Sequence, residues 1–206
     1  MIHALVEVIA WALFRMRYVG LANVPRSGPA ILAPNHISPM DPVAMALPLS
    51  RRGRTLRCLA GAEFFDRPVV GWALRALDQI PVRRGAADWS ALEELAQVIR
   101  GGALAGIFPE GRVGDASAIN PGKKGLARVA LAAGVPVIPV GIWGTQARWP
   151  QAGFRWGRPW RPRIVVVYGR PIAAVGDPRS RTDVRELTDR VMREIAVLTA
   201  RARARA

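Results

Sequence analysis

Residues 30–49, AILAPNHISPMDPVAMALPL, combine a short apolar run, a proline-rich loop and a helical segment. The apolar run at 30–33 is typical of a buried strand, and the spacing of apolar residues over 42–49 predicts a helix. The same alternation of strand and helix continues along the chain, and it is typical of a sheet that is covered by helices. We therefore predict an α/β fold, a single domain with a mixed β-sheet covered by helices.

Further strands are predicted at 56–60, 79–82, 104–108, 135–142 and 164–168, and further helices at 68–77, 88–100, 123–133 and 183–199. The last helix is predicted to begin at Asp183, because Glu186 follows three residues later in a pattern typical of a capping box. The run at 135–142 contains two prolines, which cannot donate to a sheet ladder. It is therefore predicted to be an edge strand or an irregular strand.

The N-terminus is an apolar segment with arginines at its end. Residues 1–14 are almost entirely apolar, and Arg15 and Arg17 follow. The segment is shorter than the roughly 20 residues that a spanning helix needs. It fits either an interfacial helix with its arginines in the headgroup layer or a helix packed on the core. We expect an apolar, membrane-associating helix over 1–20, an enzymatic domain over 21–200 and a basic tail over 201–206.

Composition limits the classes of partner and site. A chain of 206 residues with one cysteine and two histidines has no internal disulfide, and a Cys- or His-rich metal site is not expected. The net charge of +15 indicates a polyanionic partner, either nucleic acid or an anionic membrane surface, unless it reflects a codon bias toward arginine. Since no secretion signal is visible, we expect the protein at the cytoplasmic face of a membrane, as a peripheral or monotopic protein.

Residues 143–163 contain four of the seven tryptophans, interleaved with arginines. This pattern is typical of single-stranded nucleic-acid binding and equally of the bilayer interface. No nucleic-acid-binding motif accompanies it, and the N-terminus is apolar. We therefore interpret the segment as membrane-facing and expect no nucleic-acid partner, with an ordinary surface loop as the alternative.

The loop after the first predicted strand contains His36 and Asp41 in an H-x4-D spacing. A turn there can bring the carboxylate onto the imidazole, which fixes the ring tautomer and leaves the other ring nitrogen basic. No serine or cysteine nucleophile is evident, so the base would act on a hydroxyl of the substrate. The alternative is structural: Asp41 caps a helix that has Pro42 at its first position, and His36 is an ordinary loop residue.

Three other segments contain candidate phosphate ligands. Arg112 in FPEGR offers a bidentate guanidinium just after a strand, and IPVRR at 80–84 ends in paired arginines. Lys124 lies at the start of a predicted helix, where backbone N–H groups favour an anion. The backbone N–H groups of the turn at Gly111 are candidate donors to an oxyanion. Each of these features alone also fits an ordinary turn or a solvated charge.

Taken together, the segments H-x4-D, I-P-V-x-R, F-P-E-G and V-P-V-I-P-V resemble the four ordered motifs of the glycerolipid acyltransferase family. That family includes the 1-acylglycerol-3-phosphate acyltransferases, and the resemblance extends from Asn23 to about Gly169. Two positions depart from the family pattern. Arg112 directly follows the glycine of F-P-E-G, where members commonly read F-P-E-G-T-R, and Asp78 stands where the second motif often has glycine.

The resemblance implies an O-acyltransferase in which His36 is the general base and Asp41 orients it. It also implies that Arg84 binds the acceptor phosphate and that Glu110 and Gly111 contribute to acceptor binding, with Arg112 and Lys124 as further candidates. The fourth motif contributes a pocket, with residues Pro136 and Pro139.

The implied donor is acyl-CoA or acyl carrier protein, and no metal or organic cofactor is implied. The implied acceptor is a lysophospholipid, chiefly 1-acylglycerol-3-phosphate, which would give phosphatidic acid in phospholipid biosynthesis. Another lysolipid, glycerol-3-phosphate or a glycolipid remains open as acceptor. A hydrolase that uses water on the same thioester, and a non-catalytic basic protein that binds membrane or nucleic acid, are the alternatives from other classes.

Overall fold

A computed structural model of the chain describes residues 8, 10, 12–83, 89–155, 157 and 160–206. These residues form one seven-stranded sheet with the order β1-β7-β6-β2-β5-β3-β4. In chain order its strands are β1 (Arg15–Val19), β2 (Ala30–Pro34), β3 (Leu56–Gly61), β4 (Ile80–Val82), β5 (Leu104–Gly106), β6 (Val137–Trp143) and β7 (Arg163–Tyr168).

The sheet is mixed. β6, β2, β5, β3 and β4 run parallel to one another, whereas β7 is antiparallel to β6 and β1 is parallel to β7. The predicted α/β class with a mixed sheet is confirmed. Because β2, β5 and β6 are adjacent and parallel, the loops that follow their carboxyl ends meet at the same edge of the sheet.

Helices cover both faces of the sheet. In chain order they are α1 (Asp41–Ser50), α2 (Ala62–Phe65), α3 (Pro68–Ala76), α4 (Trp89–Arg100), α5 (Gly125–Ala133) and α6 (Arg181–Arg203). One face packs against α1 through a core that includes Met45, Leu49 and Leu32. The other packs against α4, α5 and α6 through Leu95, Leu126, Val191 and other buried residues.

The start of α6 differs from the prediction. The helix begins at Arg181, and its N-cap is Ser180 rather than Asp183. The Ser180 hydroxyl accepts from the Asp183 N–H at 3.2 Å and donates to the Asp183 carboxylate at 3.0 Å. Asp183 therefore occupies the third position of the capping box rather than the first, because the serine hydroxyl can serve both as donor and as acceptor.

The strand β6, which contains Pro139 and directly follows Pro136, is interior, which corrects the expectation of an edge strand. β6 lies between β2 and β7, and Pro139 is buried opposite Ala33 of β2. The register with β7 begins only at Val140, paired with Tyr168, and Gly169 donates to the Pro139 carbonyl at 2.8 Å. Pro139 therefore lies just outside the β6–β7 ladder, so its lack of an N–H removes no hydrogen bond from that ladder.

The N-terminal segment is not helical throughout, which corrects the assignment of 1–20 to one helix. Helical residues extend to Leu13, and Arg15–Val19 form β1 in parallel register with Arg163–Val167 of β7. The Arg15 N–H donates to the Pro162 carbonyl at 3.1 Å and begins this pairing. β7 offers an open edge, and that tertiary partner determines the local structure. Every helix in the described part of the chain is too short or too polar to cross a membrane.

Candidate active site

The loops that follow β2, β5 and β6 converge at one edge of the sheet. The loop after β2 contains His36 and leads into α1, whose first residue is Asp41. The loop after β5 contains Glu110, and the turn after β6 contains Thr145. Three strands that are neighbours in the sheet thus bring polar side chains from distant parts of the chain together.

His36 and Asp41 form a hydrogen-bonded pair. Nδ1 of His36 lies 3.0 Å from Oδ2 of Asp41, and the side chains are 12% and 0% exposed. Because a carboxylate only accepts hydrogen bonds, Nδ1 carries the proton and Nε2 is the basic nitrogen. The ring also lies against Phe108, with 4.0 Å between the ring centroids. The imidazole is therefore held in one orientation and one tautomer.

Protein donors surround both oxygens of Asp41. Oδ2 also accepts from the N–H groups of Ile37 at 2.7 Å and Ser38 at 2.8 Å. Oδ1 accepts from the hydroxyl of Thr145 at 2.6 Å. The N-cap of α1 is Met40, and the Asp41 carboxylate points back into the preceding loop. The alternative in which Asp41 caps its own helix is therefore wrong.

The F-P-E-G loop holds the backbone of His36. The carboxylate of Glu110, which is 3% exposed, accepts from the His36 N–H at 2.7 Å and from the Asn120 backbone and side-chain N–H groups at 2.8 Å each. The Gly114 N–H donates to the His36 carbonyl at 2.7 Å. Both backbone groups of His36 are thus bonded to the loop after β5, and Glu110 is turned inward onto protein donors.

Gly111 adopts a φ of +67°, a conformation that side chains rarely tolerate. A Cβ atom there would lie 2.7 Å from Nζ of Lys123, so the side chain of Lys123 passes directly over the glycine. The Gly111 N–H donates to the Phe108 carbonyl at 3.1 Å within the turn. The N–H of Gly111 itself is therefore used within the turn.

The basic residues predicted to bind phosphate differ in how they are connected to the hydrogen bonds around His36. Arg112 is exposed and donates to Oδ1 of Asn120 at 2.9 Å, which joins it to Glu110 through the Asn120 side chain. Lys124 is exposed and is the N-cap residue of α5, without a side-chain cap bond. Arg84 lies outside the described residues.

The two prolines of the fourth motif are separated along β6. Pro139 is paired with Ala33, three residues before His36. Pro136 precedes the strand, and its carbonyl accepts from the Ile31 N–H at 3.0 Å. At about 3.3 Å per residue along β2, Pro136 is roughly 17 Å from the level of His36. Pro139 therefore lies toward the pair of His36 and Asp41, which we call the dyad, whereas Pro136 lies at the opposite end of the sheet.

Sequence reasoning missed two residues of the site. Asn35, which is fully buried, accepts from the Ile142 N–H at 2.7 Å and donates to the Ile142 carbonyl at 3.0 Å. Its side chain thus extends the pairing of β2 with β6 to the point where His36 leaves the strand. Thr145, just after the carboxyl end of β6, donates its hydroxyl to Asp41. The position of Asn35 directly before H-x4-D was the available signal, whereas no local pattern marked Thr145.

An apolar groove is lined by Pro39 and Pro42, which lie close to Asp41 along the chain. One wall is the face of α1 together with Pro39, the floor is formed by Leu56 and Cys58, and the other wall contains Leu74 and Leu77. Arg54 and Gln79 line it as polar residues. Burial raises the pKa of the Cys58 thiol to about 12, so this side chain is neutral and contributes only an apolar surface.

Comparison with known proteins identifies relatives of this arrangement. Residues 15–143 match the sequence profile of a family described as Acyltransferase. The chain is 30% identical over 129 residues to a chloroplastic 1-acyl-sn-glycerol-3-phosphate acyltransferase of Brassica napus, covering 61% of this chain and 36% of that protein. It is 29% identical over 181 residues to a 1-acyl-sn-glycerol-3-phosphate acyltransferase of Pseudomonas aeruginosa, covering 85% of this chain and 66% of that one.

Among solved structures, the chain resembles the 1-acyl-sn-glycerophosphate (LPA) acyltransferase PlsC from Thermotoga maritima. The TM-score is 0.72 at 26% identity, and the superposition covers 97% of this chain and 78% of the other. The matched regions span little more than a third of the length of the plant relatives, 36% and 39%.

Proposed function

Because the chain belongs to the acyltransferase family, we propose that it transfers a fatty acyl group from an acyl thioester to the glycerol hydroxyl of a lysophospholipid. The acceptor in this proposal is 1-acylglycerol-3-phosphate, and the product is phosphatidic acid. The donor is acyl-CoA or acyl carrier protein. The names of two relatives and of the similar solved structure support this choice of acceptor.

One contact carries the proposal, the 3.0 Å hydrogen bond between Nδ1 of His36 and Oδ2 of Asp41. Since Asp41 fixes Nδ1 as the protonated nitrogen, Nε2 takes the proton of the acceptor hydroxyl as its oxygen attacks the thioester carbonyl carbon. The negative charge of Asp41 stabilises the imidazolium that forms. His36 is the catalytic base, and Asp41 is the residue that positions it.

The second half of the reaction returns the proton. The attack gives a tetrahedral intermediate with the charge on the former carbonyl oxygen. When that intermediate collapses, the carbon–sulfur bond breaks, and the departing sulfur takes the proton from Nε2 of His36. An ester and a free thiol result, and His36 is again neutral. No protein nucleophile and no covalent intermediate on the protein are needed.

The apolar groove beside Pro39 is the proposed site for the acyl chain. It begins at the loop that contains the dyad, and its floor residues Leu56 and Cys58 are apolar and uncharged under physiological conditions. Burial of a fatty chain there contributes about 0.8 kcal/mol for each methylene group removed from water. A groove of fixed length along α1 also gives the protein a means to select chain length.

For the acceptor phosphate we propose Arg112 together with Arg84, and Lys124 as a further cation. Arg112 is exposed, and its bond to Asn120 directs the guanidinium from the same loop that holds His36. Glu110 supports the site without contacting the substrate, because its carboxylate accepts hydrogen bonds from the His36 N–H and from Asn120. In this role Glu110 sets the distance between the phosphate site and the catalytic base.

We also propose that the protein works at a membrane surface, with its N-terminal segment and the segment 143–163 in contact with lipid. These two parts adjoin, because Arg161 donates to the Phe14 carbonyl at 3.3 Å. Trp160 and Phe154 are 69% and 40% exposed. Arg148 is buried and donates to the Trp160 carbonyl at 2.7 Å, so it holds the segment together rather than binding a polyanion. Trp156 and Arg158 lie outside the described residues.

Thiol release from a long-chain acyl-CoA, measured with and without lysophosphatidic acid, tests the proposed reaction. We expect release that depends on the acceptor and that yields one phosphatidic acid per thiol. Acyl carrier protein thioesters, glycerol-3-phosphate and other lysolipids are assayed in parallel. Equal release without acceptor would contradict the proposal in favour of a hydrolase. The absence of release with every pair would favour a protein that only binds membranes.

Thr145 offers a test of how Asp41 is positioned. Thr145→Val keeps the shape of the side chain but removes the hydroxyl that donates to Oδ1 of Asp41 at 2.6 Å. We expect kcat to fall about tenfold while KM stays unchanged, because a buried carboxylate oxygen loses its donor and the dyad is held less firmly. Thr145→Ser retains the hydroxyl and should retain most of the activity. An equal loss in both variants would contradict this role.

A further inference from the structure

The helix α3 presents its apolar side chains to solvent. Val69, Val70 and Trp72 are 78%, 38% and 58% exposed. The one buried residue of this helix is Gly71. A surface helix of a globular protein ordinarily turns its large apolar residues inward and its small or polar residues outward. α3 has the reverse arrangement, so its exposed face lacks a partner within the described part of the chain.

Close packing at Gly71 fixes this orientation. A Cβ atom at Gly71 would lie 2.0 Å from the carbonyl oxygen of Phe65, the last residue of α2. The Gly71 N–H donates to the Arg67 carbonyl at 2.6 Å. Rotation of the helix to bury Val69 or Trp72 would place a side chain where only a glycine fits. The outward position of the apolar face is therefore determined by the packing of α3 on α2.

An arginine lies at each end of α3, Arg67 at the N-cap and Arg75 in the last turn. The guanidinium groups of Arg67 and Arg75 lie 5.2 Å and 5.8 Å from the ring centroids of Phe64 and Phe65. Residues 51–78 contain six arginines (51, 52, 54, 57, 67, 75) against three acidic residues (63, 66, 78). A valine and tryptophan face on a helix with an arginine at each end, in a stretch of chain with an excess of arginine, complements an anionic lipid bilayer, whose acyl region accepts the apolar side chains and whose headgroups pair with the cations.

We propose that α3 docks on an anionic lipid bilayer and inserts Val69, Val70 and Trp72 into its interface. Leu74, which lies four residues after Val70 and so on the same side of α3, lines the apolar groove together with Leu77, just after the helix. Docking through α3 therefore places the groove next to the membrane, so that a lipid chain enters it without crossing water. That last step rests on the proposed function, whereas the docking itself rests only on the exposed face and its charges.

A fluorescent probe at position 69 tests the insertion directly. Cys58 is buried and its thiol is neutral, so a thiol-reactive, polarity-sensitive dye attaches at the new side chain of Val69→Cys. The matched control is Val175→Cys, a loop valine that is 86% exposed. Each labelled protein is mixed with phosphatidylcholine vesicles with or without phosphatidylglycerol. We expect the dye at position 69, but not at 175, to shift to the blue and to be quenched by brominated lipid.

Three results would overturn the docking proposal. The first is binding of the protein to vesicles while the dye at position 69 stays in water, and the second is no binding to vesicles. The third is a shift of the dye emission with protein concentration in the absence of lipid, which would identify a second copy as the partner. None of these readouts requires turnover, so they are distinguishable from failure of the proposed acyl transfer.

Co-sedimentation with the same vesicles gives a second measurement. We expect the double variant Val69→Ser, Trp72→Ser to lower the partition coefficient at least about tenfold, because two large apolar side chains no longer leave water. The control pair Val175→Ser, Val197→Ser changes exposed valines elsewhere and should bind as the wild type does. Equal partition of both double variants with wild type, at unchanged circular dichroism, would also overturn the proposal.

Discussion

His36→Ala is expected to lower the rate of acceptor-dependent acyl transfer by about 10²–10⁴-fold, the usual contribution of a general base. Nε2 of His36 faces away from Asp41 and is available as the base. The other described groups bonded to Asp41 are two backbone N–H groups and the Thr145 hydroxyl, none of which is a base that could replace it. KM for the thioester should change little, because the groove residues beside Pro39 remain in place. The loss should therefore appear in kcat.

The matched variant is His36→Asn. Its amide N–H can replace Nδ1 as the donor to Asp41, whereas it has no basic nitrogen in the place of Nε2. We expect this variant to be as inactive as His36→Ala and to unfold at a temperature closer to that of the wild type. Thiol release and thermal unfolding are measured on the same preparations. Activity within tenfold of the wild type in either variant would show that His36 is not the base.

The part of the site that was predictable from the sequence is local. H-x4-D places a carboxylate five residues after an imidazole, and Pro39 between them, with Pro42 just after, disfavours a regular helix there. Such a short turn has few conformations that bring the two groups together. The strand before it and the helix after it were also predictable, since each is marked by its own pattern of apolar residues.

The supports of the dyad were not predictable because they come from distant parts of the chain. Thr145 reaches Asp41 across 104 residues, and Asn35 bonds to Ile142 across 107. These contacts depend on β6 lying next to β2, whereas the prolines at 136 and 139 indicated an edge strand or an irregular strand. Strand order is set by how the whole sheet assembles, so a local rule about proline could not recover it.

Glu110 illustrates how a recognisable segment can hide the role of a residue. F-P-E-G was associated with acceptor binding, and an acidic side chain after a strand is normally expected to be exposed. In the fold its carboxylate accepts three hydrogen bonds from His36 and Asn120. The donors are backbone and amide groups with no sequence signature. Only the three-dimensional arrangement shows that this loop holds the backbone of His36.

Asp41→Asn and Asp41→Ala should differ strongly, and the hydrogen bonds around Asp41 give the reason. Three donors converge on Oδ2, namely the ring of His36 and the N–H groups of Ile37 and Ser38, whereas among the described residues Oδ1 meets only the Thr145 hydroxyl. In Asp41→Asn the amide oxygen must take the Oδ2 position, and its NH₂ group then faces Thr145, whose hydroxyl can turn to accept. The His36 tautomer is therefore preserved.

We accordingly expect Asp41→Asn to lose about 10–10²-fold in kcat, through the missing negative charge beside the imidazolium, and to fold normally. Asp41→Ala leaves two buried N–H groups without an acceptor, at about 1–3 kcal/mol each, and frees the imidazole to rotate. It should lose about 10³-fold or more in kcat and unfold at a lower temperature. Steady-state kinetics and thermal unfolding of both variants check this order. Equal losses in the two variants would mean that the charge of Asp41, rather than its hold on the ring, dominates its contribution to acyl transfer.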